Sequence, residues 1–556
     1  MTTFSKRLLE AYQEVPERIA VHLLRSGEPD LPISYRDLLE GASGYASALS
    51  AAGVHPGEVV ILILEHGESL LQGFFGAVLQ GAIPSIMPFL TEKLSPEQYR
   101  LSLEALFKIV SPAAVITNRA FVEEVQRARK NQIPRTILLC DQISPAHELQ
   151  LQALPGLRVT PEHTVLLQHS SGTTGLQKGV ALSHTAVFNQ LSSYGKALHL
   201  NDQDVIVSWL PLYHDMGLIA GFILPILSRI PLVLMSPFDW VRAPHRLMQA
   251  IARYRGTLTW LPNFAYNFCA QKIRASQMEG VDLSSLRAVI NCSEPMHWGS
   301  HQMFLDRFKP FGLQAGALAT CYAMAETVFA VTQGGIDAPV TVDTIDGSAL
   351  TTQQLALPAP SQDGAVRMLS AGRLIDNTLI RILDERGQDL PERHIGEIAI
   401  QSDCMLNGYF NRPELTAKAF LDGWYLSGDL GYLANDEVYI TGRKKDLIIV
   451  GGKNIYPQDL ERLAGEVSGV HPGRIVAFGM FNPEIGTEEV VLVAESDVLD
   501  PEGQSSIARE IQARVTRGSD ISLRTVQIVA RGWLLKTSSG KIARSANRKK
   551  YLDEFR

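Results

Sequence analysis

Several features are scarce in this chain, and each scarcity removes a class of function. Cysteine occurs five times, at Cys140, Cys269, Cys292, Cys321 and Cys404, never as C-x-x-C. Scattered single thiols suit a reducing compartment and offer neither a disulfide framework nor the paired spacing of a zinc site. Positive charge is in deficit, with 51 Lys and Arg against 58 Asp and Glu and a net charge of −7. Nucleic-acid binding wants a basic face, so that class is set aside. No apolar run is long and unbroken. Leu218 to Met235 comes nearest, but Pro225, Arg229 and Pro231 interrupt it, which predicts a buried element rather than a membrane span. The opening MTTFSKRLLEAYQEVPERIA carries Glu10, Glu14 and Glu17 and no apolar core; it does not read as a signal peptide, and the cytoplasm is the expected compartment. Internal repeats and long low-complexity tracts are missing too.

What remains is a globular composition, 46% apolar and 20% charged, over 556 residues. That length exceeds one ordinary core and predicts two or more domains. Short β-branched runs alternate with helical patterns: EVVILIL (58–64), AAVIT (113–117), RTILLC (135–140), DVIVSWL (204–210) and LRAVINC (286–292). Buried strands separated by amphipathic helices predict α/β layers with mostly parallel sheets. From Leu379 the texture becomes LIRILDERG, GEIAIQS and EVYITGRKKDLIIVGGKN, a smaller β-rich portion. Between the two, Gln333 to Ala371 is rich in Gly, Pro, Thr and Gln and predicts a surface excursion rather than a core element. The residues after TGRKKD are enough for a separate small domain.

The stretch LLQHSSGTTGLQKGVALSH (166–184) sets Ser170, Ser171, Thr173 and Thr174 around Gly172 and Gly175, with Lys178 close behind. Glycines let backbone N–H groups turn inward and hydroxyls add donors, so together they make a concave site suited to a polyphosphate. It is not a Walker loop, because Lys178 precedes Gly179 and no hydroxyl follows. Taken alone, the stretch reads equally as a Ser/Thr-rich hairpin turn.

Four further segments follow in order: CYAMAET (321–327), GWYLSGDLGYL (423–433), ITGRKKDLIIVGGKNIYPQDLE (440–461) and LLKTSSGKIAR (534–544). Together with the hydroxyl loop they resemble the adenylate-forming superfamily of acyl-CoA synthetases, acyl-AMP ligases, luciferases and peptide-synthetase adenylation domains. The resemblance runs from ISYRDLLEGA to GKIARSANRKKYL. PLYHDMGLIAGF (211–222), LPNFAYNFCA (261–270), YAMAETVFAVTQGG (322–335) and GKNIYPQDLE (452–461) look most like fatty acyl-AMP ligases, and the excursion before Gly372 resembles that branch's insertion.

The resemblance implies a large N-terminal domain (1–442) of layered α/β subdomains plus a β-rich subdomain, a hinge (443–446) at Lys445, and a small mobile α+β C-terminal domain (447–556). It implies ATP and Mg²⁺, a carboxylic acid substrate, and a phosphopantetheine acceptor on an acyl-carrier protein or coenzyme A. By the same resemblance the hydroxyl loop and Lys178 grip the outer phosphates, Glu326 holds the metal, and Asp429 accepts the ribose hydroxyls with Arg443 assisting. Ser293, Glu294, Pro295, Tyr322, Ala323 and Met324 line the adenylate; Lys541 and His214 are catalytic; Gly451 and Gly452 border the thiol tunnel. Trp209, Phe264 and Phe268 line the acyl pocket, the two phenylalanines spaced i, i+4 on one predicted helical face. Blander roles stand beside these: a solvated lysine in a basic tail for Lys541, a hydrogen-bonded core histidine for His214, and core packing for the phenylalanines. Gln177, Ala323 and Leu535 depart from the usual Pro, Gly and Pro, none removing a charge. Rival functions are an acyl-CoA ligase, an amino-acid-activating domain, a non-catalytic nucleotide-binding scaffold and a luciferase-like oxygenase.

Overall fold

A computed structural model of the chain describes residues 2–91, 96–146, 154–170, 178–450, 453–482, 485, 487–519, 521–537 and 540–555. Each of the five β-branched runs contains a parallel strand. Ile83–Ile86, Val59–Ile63, Ala114–Thr117 and Thr136–Leu139 make one four-stranded parallel sheet in that spatial order. The two middle strands are buried along their whole length, which explains their lack of polar alternation. A second sheet has seven strands, six parallel (Leu318–Cys321, Ala288–Cys292, Leu258–Leu261, Ile206–Ser208, Leu232–Met235, Ile19–Leu24) and one antiparallel edge strand, Leu31–Ser34.

The apolar stretch from Leu218 folds inside the protein. A π-helix over Met216–Ile223 runs into a short helix, Leu224–Ser228, and then into the strand Leu232–Met235. Among the described residues no helix is long and apolar enough to cross a membrane. From Thr378 the chain forms the β-rich portion, an antiparallel sheet of Thr378–Leu383, Gly396–Ser402, Phe420–Leu421, Trp424–Ala434 and Glu437–Arg443.

The segment between Gln333 and Ala371 is more ordered than its composition predicts. Val342–Asp346 and Ala365–Leu369 pair as an antiparallel ladder, and a helix occupies Gly347–Thr352. Ile345, Leu350 and Ala356 are buried against Ile395, Tyr432, Tyr439 and Tyr456, so the surface-excursion expectation is corrected. Asp343 anchors the ladder, accepting from Tyr432 Oη at 2.9 Å and from Arg393 at 3.0 Å. Gly, Pro and Thr punctuate the segment so closely that no period survives, yet a few apolar side chains suffice to tie it down.

Beyond Lys445 a three-stranded sheet (Val470–Asn482, Thr487–Ser496, Leu523–Ala530) is buried on both faces. One face carries Ile475 and Leu492 against the helices Pro457–Gly465 and Pro501–Ser519; the other carries Val476, Phe478 and Val493 near Tyr551 of the helix Arg544–Phe555. This alternation gives the C-terminal residues hydrophobic clusters of their own.

Candidate active site

The hydroxyl loop joins two antiparallel strands, Thr164–Ser170 and Lys178–Ser183, with Ser170 opposite Lys178. Ser171, Gly172, Thr173, Thr174, Gly175 and Gln177 lie outside the described residues. Lys178 shows where the loop ends: its ammonium sits 4.5 Å from the centre of the Tyr409 ring. Tyr409 reaches that place because Gly408–Tyr409 pairs with the same strand. Its hydroxyl donates to Glu326 Oε1 at 2.9 Å and lies 3.2 Å from the Tyr425 hydroxyl. One ring thus ties the loop lysine to the carboxylate expected to hold metal.

Glu326 belongs to a tight turn, Ala325–Thr327, closed by Val328 at φ +67, a sterically costly place for a β-branched residue. Burial pushes the Glu326 carboxyl above the usual range, while the Tyr409 hydroxyl and Lys178 pull it down. Among the described residues no three His, Cys, Asp or Glu side chains gather in a cage for a metal. A half-buried carboxylate with one oxygen engaged fits Mg²⁺, which commonly takes one or two carboxylates and fills its sphere with phosphate oxygens and water.

Asp429 and Arg443 face each other across adjacent strands, and Arg443 Nε donates to Asp429 Oδ1 at 3.1 Å. The Tyr322 hydroxyl donates to Asp429 Oδ2 at 2.7 Å. Each oxygen keeps a second lone pair, so the carboxylate retains capacity for a cis-diol. Asp429 in turn holds the Arg443 guanidinium pKa above its ordinary value. Ala323 pairs with Ala330 in an isolated bridge, and the Met324 N–H donates to the Phe329 carbonyl at 2.8 Å, which fixes the strip between Tyr322 and Glu326.

His214 and Asp215 open the π-helix. His214 Nδ1 lies 2.6 Å from Asp215 Oδ1, and the same oxygen accepts the Met216 N–H at 2.7 Å. Gly217 lets this turn close, since a Cβ there would stand 2.2 Å from the Pro211 carbonyl oxygen. Burial alone would raise the Asp215 carboxyl, but His214 and, further off, Lys541 hold it down at about 2.

Lys541 thus lies within electrostatic reach of Asp215. It follows a turn in which Gly540 has φ +87 and the Lys541 N–H donates to Thr537 Oγ1 at 3.2 Å. Burial lowers the lysine's pKa; Asp215 and Glu294 oppose that, and Arg443 reinforces it. The Lys541 side chain is half-buried. Glu294 also accepts the Phe264 N–H at 3.0 Å. Ser293, at φ +71, makes the turn that carries Glu294, and Pro295 is exposed.

Phe264 and Phe268 share the helix Asn263–Lys272. Both pack on Trp240, with centroids 6.1 and 5.3 Å away, and Trp240 stacks face to face on Trp209 at 3.5 Å. Trp209 and Trp240 are buried, whereas Phe264 is 40% exposed at the rim. Trp240 and Tyr409 escaped the sequence reading, because an isolated aromatic in an apolar stretch carries no spacing signal.

The C-terminal residues rest on the β-rich sheet. Gln458 Nε2 donates to the Thr441 carbonyl at 2.6 Å, and a Cβ on Gly442 would stand 2.8 Å from Tyr456 Cδ1. Lys445 lies in the turn Lys444–Asp446, its pKa lowered by burial and by Arg443. Gly451 and Gly452 lie outside the described residues. Leu535 has a physical reason: its N–H donates to Asn547 Oδ1 at 2.7 Å, a bond proline could not make.

Three likenesses to known proteins accompany this geometry. The chain is 30% identical over 563 residues to the medium-chain-fatty-acid–acyl-carrier-protein ligase JamA of Moorena producens, covering 96% of this chain and 93% of that one. It is 30% identical over 590 residues to the long-chain-fatty-acid–AMP ligase FadD26 of Mycobacterium bovis, covering 98% and 96%. A solved structure from a study of fatty acyl-adenylate ligases from E. coli and L. pneumophila superposes with a TM-score of 0.90 at 26% identity, covering 100% of this chain and 98% of that one. The family model described as AMP-binding enzyme matches residues 8–410. The chain belongs to the AMP-binding enzyme family, within the adenylate-forming superfamily that its motifs resemble.

Proposed function

We propose that this protein activates a fatty or related carboxylic acid with ATP, releasing pyrophosphate and forming an acyl-adenylate, and then passes the acyl group to a phosphopantetheine thiol of an acyl-carrier protein. The observation that carries the first half is the seat of Lys541, which faces Asp215 and Glu294 and lies in the field of Arg443. A lysine from the C-terminal body near these groups supports the reading that it acts where an acid and a nucleotide bound by Asp429 would meet.

The chemical difficulty is an anion attacking a polyanion, so catalysis is positioning plus positive charge. An oxygen of the substrate carboxylate bonds to the α-phosphorus, the bond to the β-phosphate bridging oxygen breaks, and pyrophosphate leaves. Lys541 stabilises the charge shared by the attacking and departing oxygens. A unit pair ~4 Å apart at an effective dielectric near 20 interacts by about 4 kcal/mol, a ceiling of roughly a thousandfold in rate. His214, oriented by Asp215, borders the acid. Asp429 takes the ribose hydroxyls while Arg443 and Tyr322 fix its carboxylate, and Lys178 with the hydroxyl residues holds the outer phosphates. Glu326 would hold Mg²⁺, whose chemistry when bound is to neutralise phosphate charge. In the second half-reaction Lys445 acts as the hinge between the bodies 1–442 and 447–556, Gly451 and Gly452 admit the slender pantetheine arm, the thiol sulfur attacks the acyl carbonyl and AMP departs.

The carrier as acceptor is supported by the name of the JamA relative; free coenzyme A is the alternative. The test offers a panel of carboxylic acids with ATP, measures ATP–pyrophosphate exchange, and then asks which thiol consumes the adenylate. Exchange should fall about a thousandfold in Lys541→Ala, and a carrier should discharge the adenylate where coenzyme A does not. Undiminished exchange in that variant overturns the reading.

A further inference from the structure

Beside the site lies a cleft of about 420 Å³, lined by Lys178, Tyr409, Tyr425, Glu397, Lys418 and Lys444 among others. We propose that this cleft is the exit path of inorganic pyrophosphate, with Lys418 as its outer cation, and that it stays open while Lys541 is seated. The inference rests on the adenylation reading above and adds to it a binding place for the leaving group.

Three observations converge. First, the inner end of the cleft is where the outer phosphates are expected. Lys178 closes the hydroxyl loop there, and Tyr409, which carries its ammonium, also bonds Glu326. Second, the lining is electropositive. Its one carboxylate among the described residues, Glu397, is engaged on both oxygens, with Lys444 Nζ at 2.8 Å from Oε2 and the Gly428 N–H at 3.2 Å from Oε1. Lys444 is thus neutralised, while Lys178 and the exposed Lys418 remain to attract an anion. Third, among the described residues every one that lines the cleft precedes Lys445. Lys541 belongs to the C-terminal residues and lies in the field of Asp215 and Glu294, so a route built from earlier residues does not need that body to move. At ~30 Å³ per water the space holds roughly a dozen waters, enough for a hydrated pyrophosphate.

Lys418 ends the short helix Pro413–Lys418 and is exposed, so its replacement should leave the fold intact. The test uses the full chain with Lys418→Glu and Lys418→Gln. It measures the KM for pyrophosphate in the reverse reaction from acyl-adenylate, the KM for ATP, and pyrophosphate binding by calorimetry without nucleotide. Lys418→Glu should raise the pyrophosphate KM and dissociation constant about tenfold and Lys418→Gln about threefold, with the KM for ATP within twofold of wild type. If pyrophosphate parameters stay within twofold, or if ATP and pyrophosphate weaken equally, the exit assignment is overturned. Absence of exchange in the wild-type protein with every acid would instead sink the adenylation reading.

Discussion

Replacing Asp215 by Asn isolates charge from geometry in the heart of the site. The amide oxygen can still accept the Met216 N–H, now 2.7 Å from Asp215 Oδ1, and remain beside His214 Nδ1. What disappears is the negative charge that raises the pKa of Lys541 against burial. Charge coupling is mutual, so the amount Asp215 lends Lys541 equals the amount Lys541 takes from Asp215. The carboxyl sits at about 2 despite a burial that alone would raise it from 3.8, so its neighbours together lower it by more than that net difference. His214 supplies the larger part and Lys541 a smaller one in the same direction. Adenylation needs the ammonium form. Its alkaline limb should therefore lie below the ordinary lysine value of about 10.4 in wild type and move lower still in Asp215→Asn. Single-turnover pyrophosphate release from pH 6 to 10 reads the limb directly, with roughly these limits set by enzyme stability. An unmoved limb, or one displaced to higher pH, refutes the assignment of Lys541 and Asp215 to one site.

Acid should expose the same carboxylate. Because its folded pKa is depressed, the stabilisation is complete above the unfolded value of 3.8 and is lost as pH falls towards 2. The loss should be about 2 kcal/mol, seen as a steeper drop in urea midpoint between pH 5 and 2.5 for wild type than for Asp215→Asn, with pH ranges chosen to bracket roughly both pKa values. Trp240→Ala removes a fully buried ring stacked at 3.5 Å on Trp209 and should cost about 3–5 kcal/mol by denaturant unfolding; a loss below about 1 kcal/mol would mean the stack is loose. Gly442→Ala drives a methyl against the Tyr456 ring, 2.8 Å from Cδ1. It should slow adenylation about tenfold, equivalent to ~1.4 kcal/mol, while transfer from preformed acyl-adenylate changes less; equal effects on both steps would refute a role in seating Lys541.

How much of this was legible beforehand depends on how local the cause is. The strands at Val59–Ile63 and Ala114–Thr117 announced themselves because burial on both faces leaves an unbroken β-branched run. Asp429 and Arg443 were singled out by a resemblance of motifs rather than by a local physical signal, and adjacent strands set them opposite each other. The ladder of Val342–Asp346 with Ala365–Leu369 was hidden, because its stability comes from Tyr432, Tyr439 and Tyr456, which lie far along the chain. Tyr409 and Trp240 were hidden likewise, since each matters through contacts that only the folded chain creates. The basic tail shows the distinction most sharply. Arg544 is consumed locally by Glu461 and the Ala477 carbonyl, and Lys550 by the Trp533 ring and carbonyl. Composition treats Lys541 as one more cation among them. The turn does not: Gly540 in the left-handed region and Thr537 gripping the Lys541 N–H reverse the chain, and this lysine lies in the field of Asp215 and Glu294, outside its own body. The position of a charge, rather than its presence, is what sets Lys541 apart from the rest of the tail.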